Sequence, residues 1–147
     1  MTSETDKSLP GTTPHVKVAA GVIYDEEGKI LVCRRGYGKN PDTDGRWEFP
    51  GGKLEPGETA RETIVRELRE ELDIEVAPSR LIAVIEHTYP TFTVQLHFIA
   101  CRLLSGTPVI KEHSEMAWLP PAGLASLDFC PADLPALPLI AAAIPPQ

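Results

Sequence analysis

The chain is predicted to be an α+β protein whose helices pack around a mixed β-sheet. Two patterns support this. Strand-like segments outnumber helical ones and are mostly joined by hairpins, and one segment after residue 59 has a clear helical repeat. The bulk composition agrees. The 147 residues are 42% hydrophobic and 24% charged, which suits one domain with its own core and excludes collagen-like, low-complexity and fully disordered classes.

Each element follows from local sequence. Residues 1–14 (MTSETDKSLPGTTP) are polar, lack the apolar core of a secretory signal, and read as a flexible N-terminal tail; residues 15–147 form the domain. Residues 15–24 (HVKVAAGVIY) are rich in β-branched and small apolar side chains and read as a buried strand. Asp25-Glu26-Glu27-Gly28 is a turn, and residues 29–35 (KILVCRR) return as the second arm of a hairpin. Residues 36–45 carry three glycines and a proline without periodicity and read as a loop. Trp47-Glu48-Phe49 is a short strand leading into Pro50-Gly51-Gly52.

Thr59 followed by Glu62 is a capping box, and Ala60, Ile64, Leu68 and Leu72 recur every fourth residue. The pattern predicts a helix ending near Asp73. Residues 80–87 and 92–104 are two further strands about a Tyr89-Pro90 turn, and residues 116–119 are a short strand. Pro120 or Pro121 opens a short helix, and residues 133–143 read as a terminal helix despite Pro135 and Pro138. The most apolar stretch, 134–144, falls short of the ~20 residues of a membrane span. Cys33, Cys101 and Cys130 lie far apart and form no disulfide or zinc pattern; they read as reduced, buried thiols of a cytoplasmic protein.

The formal net charge is −7, which argues against intact nucleic acid or an anionic membrane as partner. More than half of that charge lies in one segment: residues 55–73 hold seven acids against three bases, a net of −4. Glu67, Glu70 and Glu71 stand at i, i+3 and i+4, which gathers three carboxylates on one side of the helix. Like charges at that spacing cost about 0.2–0.5 kcal/mol per pair. A solvated face paired with Arg61, Arg66 and Arg69 is one explanation. A hard divalent cation, which takes oxygen ligands and shares them with substrate phosphates, is the other. Gly51 and Gly52, just upstream, let backbone come close to a ligand.

These residues carry a family resemblance. Gly52, Glu58, Arg66-Glu67-Leu68-Arg69-Glu70-Glu71 and Ile74 match the spacing of the Nudix box, Gly-x5-Glu-x7-Arg-Glu-U-x-Glu-Glu-x-Gly-U, with U apolar. Asp73 stands where that pattern has its late glycine. A left-handed helix end there costs up to about 1 kcal/mol for a non-glycine residue, and Asp tolerates it better than most. The stretch Trp47-Glu48-Phe49-Pro50-Gly51-Gly52-Lys53 resembles the MutT-like branch, which includes 8-oxo-dGTP diphosphatases and CTP pyrophosphohydrolase-like enzymes.

The resemblance implies a Nudix-type α/β/α sandwich and a Nudix hydrolase cleaving a nucleoside triphosphate to monophosphate and pyrophosphate, as in sanitation of the nucleotide pool. It implies Mg²⁺, with Mn²⁺ as a substitute, held by Glu67, Glu70, Glu71 and the Gly51 carbonyl. Glu112, six residues before Trp118, is a further candidate ligand or else a surface carboxylate. Glu67 is assigned as general base with Glu70 its rival, Arg66 as orienting the carboxylates, and Glu58 as a supporting acid. Arg35 and Lys53 are candidate phosphate contacts. Phe49 and Trp47 are candidates to stack on a base, Trp47 equally a core residue.

The stretch 127–135 (LDFCPADLP) resembles a segment of MutT and of CTP pyrophosphohydrolase-like enzymes, and in MutT the position matching Asp133 is an Asn that reads oxidised guanine; helix N-capping is the alternative role of Asp133. An ionised carboxylate only accepts hydrogen bonds, so it rejects the N7/O6 acceptor edge of guanine and suits 8-oxo-dGTP or a cytosine nucleotide. On that basis Asp133→Asn alters base preference more than triphosphate turnover. The substrate thus stays open between an oxidised guanine nucleotide and CTP or 5-methyl-dCTP. ADP-ribose or dinucleotide polyphosphate hydrolysis, hinted at by Pro90, ranks lower. A Nudix-fold nucleotide sensor is the non-enzymatic alternative, which the retained carboxylates disfavour. The expected partner is a small nucleotide, without intact nucleic acid or membrane, and the expected state is monomer or homodimer.

Overall fold

The computed structural model describes residues 15–144, so the predicted tail at 1–14 lies outside the described residues. Strand β1 (His15–Tyr24) is central. Its second half begins the hairpin to β2 (Ile30–Arg34), with Tyr24 opposite Ile30. Its other edge runs parallel to β6 (Thr93–Ser105) from His15–Thr93 to Tyr24–Arg102. Antiparallel β5 (Glu75–Thr88) closes that side, while β2 is flanked by β3 (Trp47–Glu48) and β7 (Glu115–Leu119). The order β3-β2-β1-β6-β5 contains both strand senses, so the sheet is mixed.

Period-two alternation in β1 and β2 sends side chains to two cores. Ala19, Ile23, Leu31 and Cys33 pack under Ile64, Leu68 and Leu72 of α1 (Ala60–Leu72). Ala20, Val22, Ile30 and Val32 face Leu124, Phe129, Ala136 and Ile140 of the C-terminal segment. Helical structure on both faces of one sheet is the expected α/β/α arrangement. Full burial of Phe129 and Phe98 marks the second core as the larger aromatic one.

Four local expectations are corrected. Gly51–Lys53 is a strand (β4), where the sequence predicts no element immediately after Phe49. It pairs antiparallel with the first half of β1, Ala19 opposite Gly52 and Ala20 opposite Gly51. A Cβ at Gly51 would collide with the Ala19 carbonyl, so glycine is what lets this strand lie so close. Strand β5 starts at Glu75 rather than residue 80, and its register shifts after Pro78, which has no N–H for the ladder. The predicted helix 133–143 is a 3₁₀ turn, Pro131–Ala136, followed by α2 (Leu137–Ala143), because Pro135 removes an interior donor while Pro138 sits in the tolerant first turn. Asp133 is not an N-cap: Cys130 holds that position and Asp133 lies inside the 3₁₀ turn.

Both halves of the predicted capping box start α1, with the Thr59 hydroxyl accepting from Glu62 N–H and the Glu62 carboxylate from Thr59 N–H. Asp73 ends the helix in the left-handed region at φ 59°, ψ 36°. Ile74 N–H reaches back to Leu68 O at 3.4 Å, and Lys111 Nζ pairs with Asp73 Oδ1 at 2.8 Å. Asp73→Ala is expected to cost about 1 kcal/mol, and Asp73→Gly to be nearly neutral because relief of left-handed strain offsets the lost pair. Thermal melts check the order; an Ala variant as stable as the Gly variant would show that backbone strain is not limiting at this cap.

Candidate functional site

A cavity of about 540 Å³ opens where β1, β4 and the loops around residues 36–45 and 112–113 meet. Its lining is charged or bare backbone in part, with Gly51, Gly52, Lys53, Glu71 and Glu112, and apolar in part, with Phe49, Phe92, Val94 and Leu96, and it includes Tyr89 and Asp133. Its size and mixed lining suit a nucleotide-sized ligand.

The carboxylates of the loop before α1 and of the helix are ordered by Arg66. Its Nε and Nη2 grip the Glu58 carboxylate at 2.7 and 2.9 Å, its Nη1 reaches Glu67 Oε2 at 3.0 Å and Glu70 Oε1 at 3.4 Å, and Nη2 also bonds the Lys53 carbonyl at 3.2 Å. One guanidinium thus ties the loop before α1, the helix and β4 together. The Arg66 pair, then hydrogen bonds from Glu55 N–H and the Thr63 hydroxyl, hold Glu58 down to about 2. Glu67 is pressed against the bare backbone of Gly52, where a Cβ would run into its carboxylate. Burial pushes its pKa up against the pull of Arg66.

Glu71 is the unbalanced group. Its Oε1 is buried without a hydrogen-bond partner. Burial raises it to about 7, and the charges of Glu67, Glu48 and Glu112 add to the rise against the opposing influence of His113. Among the described residues no three His, Cys, Asp or Glu groups converge to ligand distance. The donor set nevertheless fits a hard divalent cation. An orphaned carboxylate oxygen faces a cavity rimmed by carboxylates and by glycine backbone, and such a group is costly unless a cation completes it.

The other predicted residues are distributed unevenly. Glu70 points outward, its side chain 60% exposed, and Glu112 lies on an exposed loop 3.6 Å from Lys39 Nζ. Lys53 is exposed at the rim. Arg35 is half-buried and bonds Glu48 Oε1 through Nη1 at 3.1 Å, while its buried Nε has no partner. Phe49 lines the cavity, but Phe129 stacks on one of its faces at 5.2 Å. Trp47 packs with the core and does not line the cavity; its backbone pins residues 128–130 through Trp47 N–H to Asp128 O and Cys130 N–H to Trp47 O.

Asp133 is buried against the cavity, and burial above all, reinforced by Glu48, pushes its carboxyl well above the usual range against the pull of Arg35. Burial thus favours the neutral acid, which both donates and accepts, over the ionised state read from the sequence. The three thiols are free and buried, and burial foremost raises Cys33 and Cys101 to about 12.

Sequence reasoning passed over several cavity residues, among them Glu48, His113, Tyr89 and Thr43. Glu48 joins Arg35 to His113, whose Nε2 lies 2.9 Å from Glu48 Oε2. Tyr89 presents its hydroxyl to Ala132 N–H at 3.3 Å, and Thr43 comes from the 36–45 loop. An acid between two aromatics in a strand was a readable signal for Glu48; the other three carry none.

A family model for the NUDIX domain matches residues 14–140. The chain is 36% identical over 122 residues to a CTP pyrophosphohydrolase of Escherichia coli K12, covering 83% of this chain and 88% of that protein. It is 34% identical to the 8-oxo-dGTP diphosphatase of the same organism, covering 83% and 93%. Among solved structures, the E. coli ORF135 protein superposes with a TM-score of 0.74 at 33% identity, over 92% of this chain and 96% of that one.

Proposed function

The chain belongs to the NUDIX family, and on that premise we propose that it is a MutT-like, Mg²⁺-dependent nucleoside triphosphate pyrophosphohydrolase that yields a monophosphate and pyrophosphate. The observation that carries this reading is one cavity that brings carboxylates and glycine backbone together with apolar side chains and Asp133. Mg²⁺, or Mn²⁺ in its place, would be held by Glu67, Glu70, Glu71, Glu112 and the Gly51 carbonyl. Bound there, it would supply charge neutralisation at phosphate oxygens and a lowered pKa for an attacking water.

The chain's own groups do the rest. Glu67, kept above the usual carboxylate range by burial, takes the proton of the attacking water, with Glu70 the alternative base. Arg66 and Glu58 hold Glu67 and β4 in register. Arg35 and Lys53 meet phosphate oxygens, and Glu48 keeps Arg35 extended toward the cavity. The enzyme acts in the cytoplasm as monomer or homodimer. Among the described residues no helix is long and apolar enough to cross a membrane.

Asp133 supplies the choice of base. A neutral carboxyl presents one donor beside one acceptor, which matches N7–H and O6 of 8-oxoguanine, and equally N4–H and N3 of cytosine. An oxidised guanine nucleotide is the first reading and a cytosine nucleotide, the substrate in one relative's name, the second. A panel of (d)NTPs with Mg²⁺, scored for pyrophosphate against phosphate, tests the function; hydrolysis of none would reject it. Because an amide offers the same donor and acceptor, Asp133→Asn is expected to keep the base ranking within about threefold at pH 7, whereas Asp133→Ala lowers kcat/KM about a hundredfold. A reshuffled ranking in the Asn variant would restore the ionised carboxylate.

A further inference from the structure

The loop between β2 and β3 is built more tightly than its glycine content suggests. The Asp44 carboxylate accepts three backbone N–H groups, from Gly38 at 2.9 Å, Lys39 at 3.2 Å and Asn40 at 3.0 Å. The Asn40 carbonyl accepts Thr43 N–H at 3.0 Å and Asp44 N–H at 2.8 Å, and the Thr43 carbonyl accepts Arg46 N–H at 3.1 Å. Both backbone polar groups of Thr43 are therefore used within the loop.

Its side chain is not. Thr43 is only 8% exposed, lines the cavity, and its Oγ1 is buried with no hydrogen-bond partner. Burying a hydroxyl unsatisfied is unfavourable, and a loop that spends its own hydrogen bonds to hold one so is preorganised for something that enters the cavity. Position identifies what enters. The Thr43 carbonyl accepts from Arg46 N–H, Arg46 Nη1 lies 3.8 Å from Asp128 Oδ1, Trp47 N–H donates to Asp128 O and Cys130 N–H donates to Trp47 O, so the end of the loop is anchored to the segment that leads into Asp133, and both Thr43 and Asp133 line the cavity.

We propose that Thr43 is a specificity-determining residue whose hydroxyl hydrogen-bonds the nucleobase of the bound nucleotide, acting in the same cavity as Asp133. The inference rests on the nucleotide hydrolase reading above. A hydroxyl both donates and accepts, so it pairs with either a carbonyl or an amino substituent of the base.

Thr43→Val keeps the shape and removes only the hydroxyl; Thr43→Ser keeps the hydroxyl. Binding of dCMP, dGMP, 8-oxo-dGMP and the base-free probe 2-deoxyribose 5-phosphate is measured by calorimetry without metal, beside kcat and KM for the matching triphosphates. The expected result for Thr43→Val is about a tenfold loss of affinity for the preferred monophosphate, the same factor in KM, and kcat within about twofold. Thr43→Ser is expected to restore most of the loss, 2-deoxyribose 5-phosphate to bind wild type and variant alike, and the melting temperature of Thr43→Val not to fall, since no protein hydrogen bond is lost. Unchanged affinities in Thr43→Val, equal losses in Val and Ser, or an equal loss for the base-free probe would each overturn the proposal. A wild type that turns over no triphosphate and binds no monophosphate rejects the hydrolase reading and this inference together. Normal wild-type turnover with an unaffected Val variant rejects this inference alone.

Discussion

Glu67→Gln is expected to lower kcat by about 10³-fold with little change in folding. The substitution keeps the shape that fits over Gly52, where the side chain is only 16% exposed. It removes the ability to take a proton and the charge that a cation would require, and loss of a positioned base alone is worth about 10²–10⁴-fold. Stability is expected to move little. Burial already disfavours the Glu67 charge, and Arg66 keeps its paired bonds to Glu58 when the contact to Glu67 weakens. The melting temperature should stay within about 3 °C of wild type, the span of roughly 1 kcal/mol in a chain of this size. Single-turnover kinetics with saturating Mg²⁺, run beside thermal melts, separate the two effects. A Glu67→Gln enzyme within tenfold of wild type, together with a dead Glu70→Gln enzyme, would transfer the base role to Glu70.

The box residues were legible because their logic is local. A capping box, a four-residue apolar repeat and carboxylates at i, i+3 and i+4 need only the geometry of one helix, and α1 begins and ends where those signals put it. The β1–β2 hairpin was legible for the same reason. The parallel pairing of β1 with β6 was not, because it joins residues nearly eighty positions apart and no turn announces it. Strand β4 escaped notice because two glycines have no strand preference of their own; they sit there for the close approach of Ala19 and Glu67. Thr43 and His113 lie on loops, where function depends on what the scaffold brings opposite them. Asp133 lines the cavity, but its burial, which raises its carboxyl, was not legible in the sequence. Its burial comes from the C-terminal segment folding back over Phe49, which no local pattern encodes.

The metal-free protein is expected to lose stability as pH rises from about 5 to 8, and Glu71 is the reason. Its pKa goes from 4.5 unfolded to about 7 folded. A carboxyl with a raised folded pKa favours the folded state most below the unfolded value, and that advantage disappears as pH rises through the folded value. The full shift corresponds to about 3 kcal/mol, and solvent at the cavity mouth reduces it to on the order of 2 kcal/mol. Glu58 does not offset this in the same window. Its pKa is lowered to about 2, so its contribution is complete above 4.5 and is lost only in stronger acid. Asp133 shifts in the same direction as Glu71, so the diagnostic is a comparison of variants rather than one curve. In EDTA, Glu71→Gln is expected to match wild type near pH 5 and to melt about 5 °C higher at pH 8, because the amide carries no charge to bury. Adding Mg²⁺ at pH 8 should stabilise wild type and leave Glu71→Gln nearly unmoved if, as proposed, the ion binds the folded state through the carboxylate the variant lacks. Parallel pH profiles for the two proteins in EDTA would mean that Glu71 is not the strained group, and an equal Mg²⁺ shift in both would place the cation on other ligands.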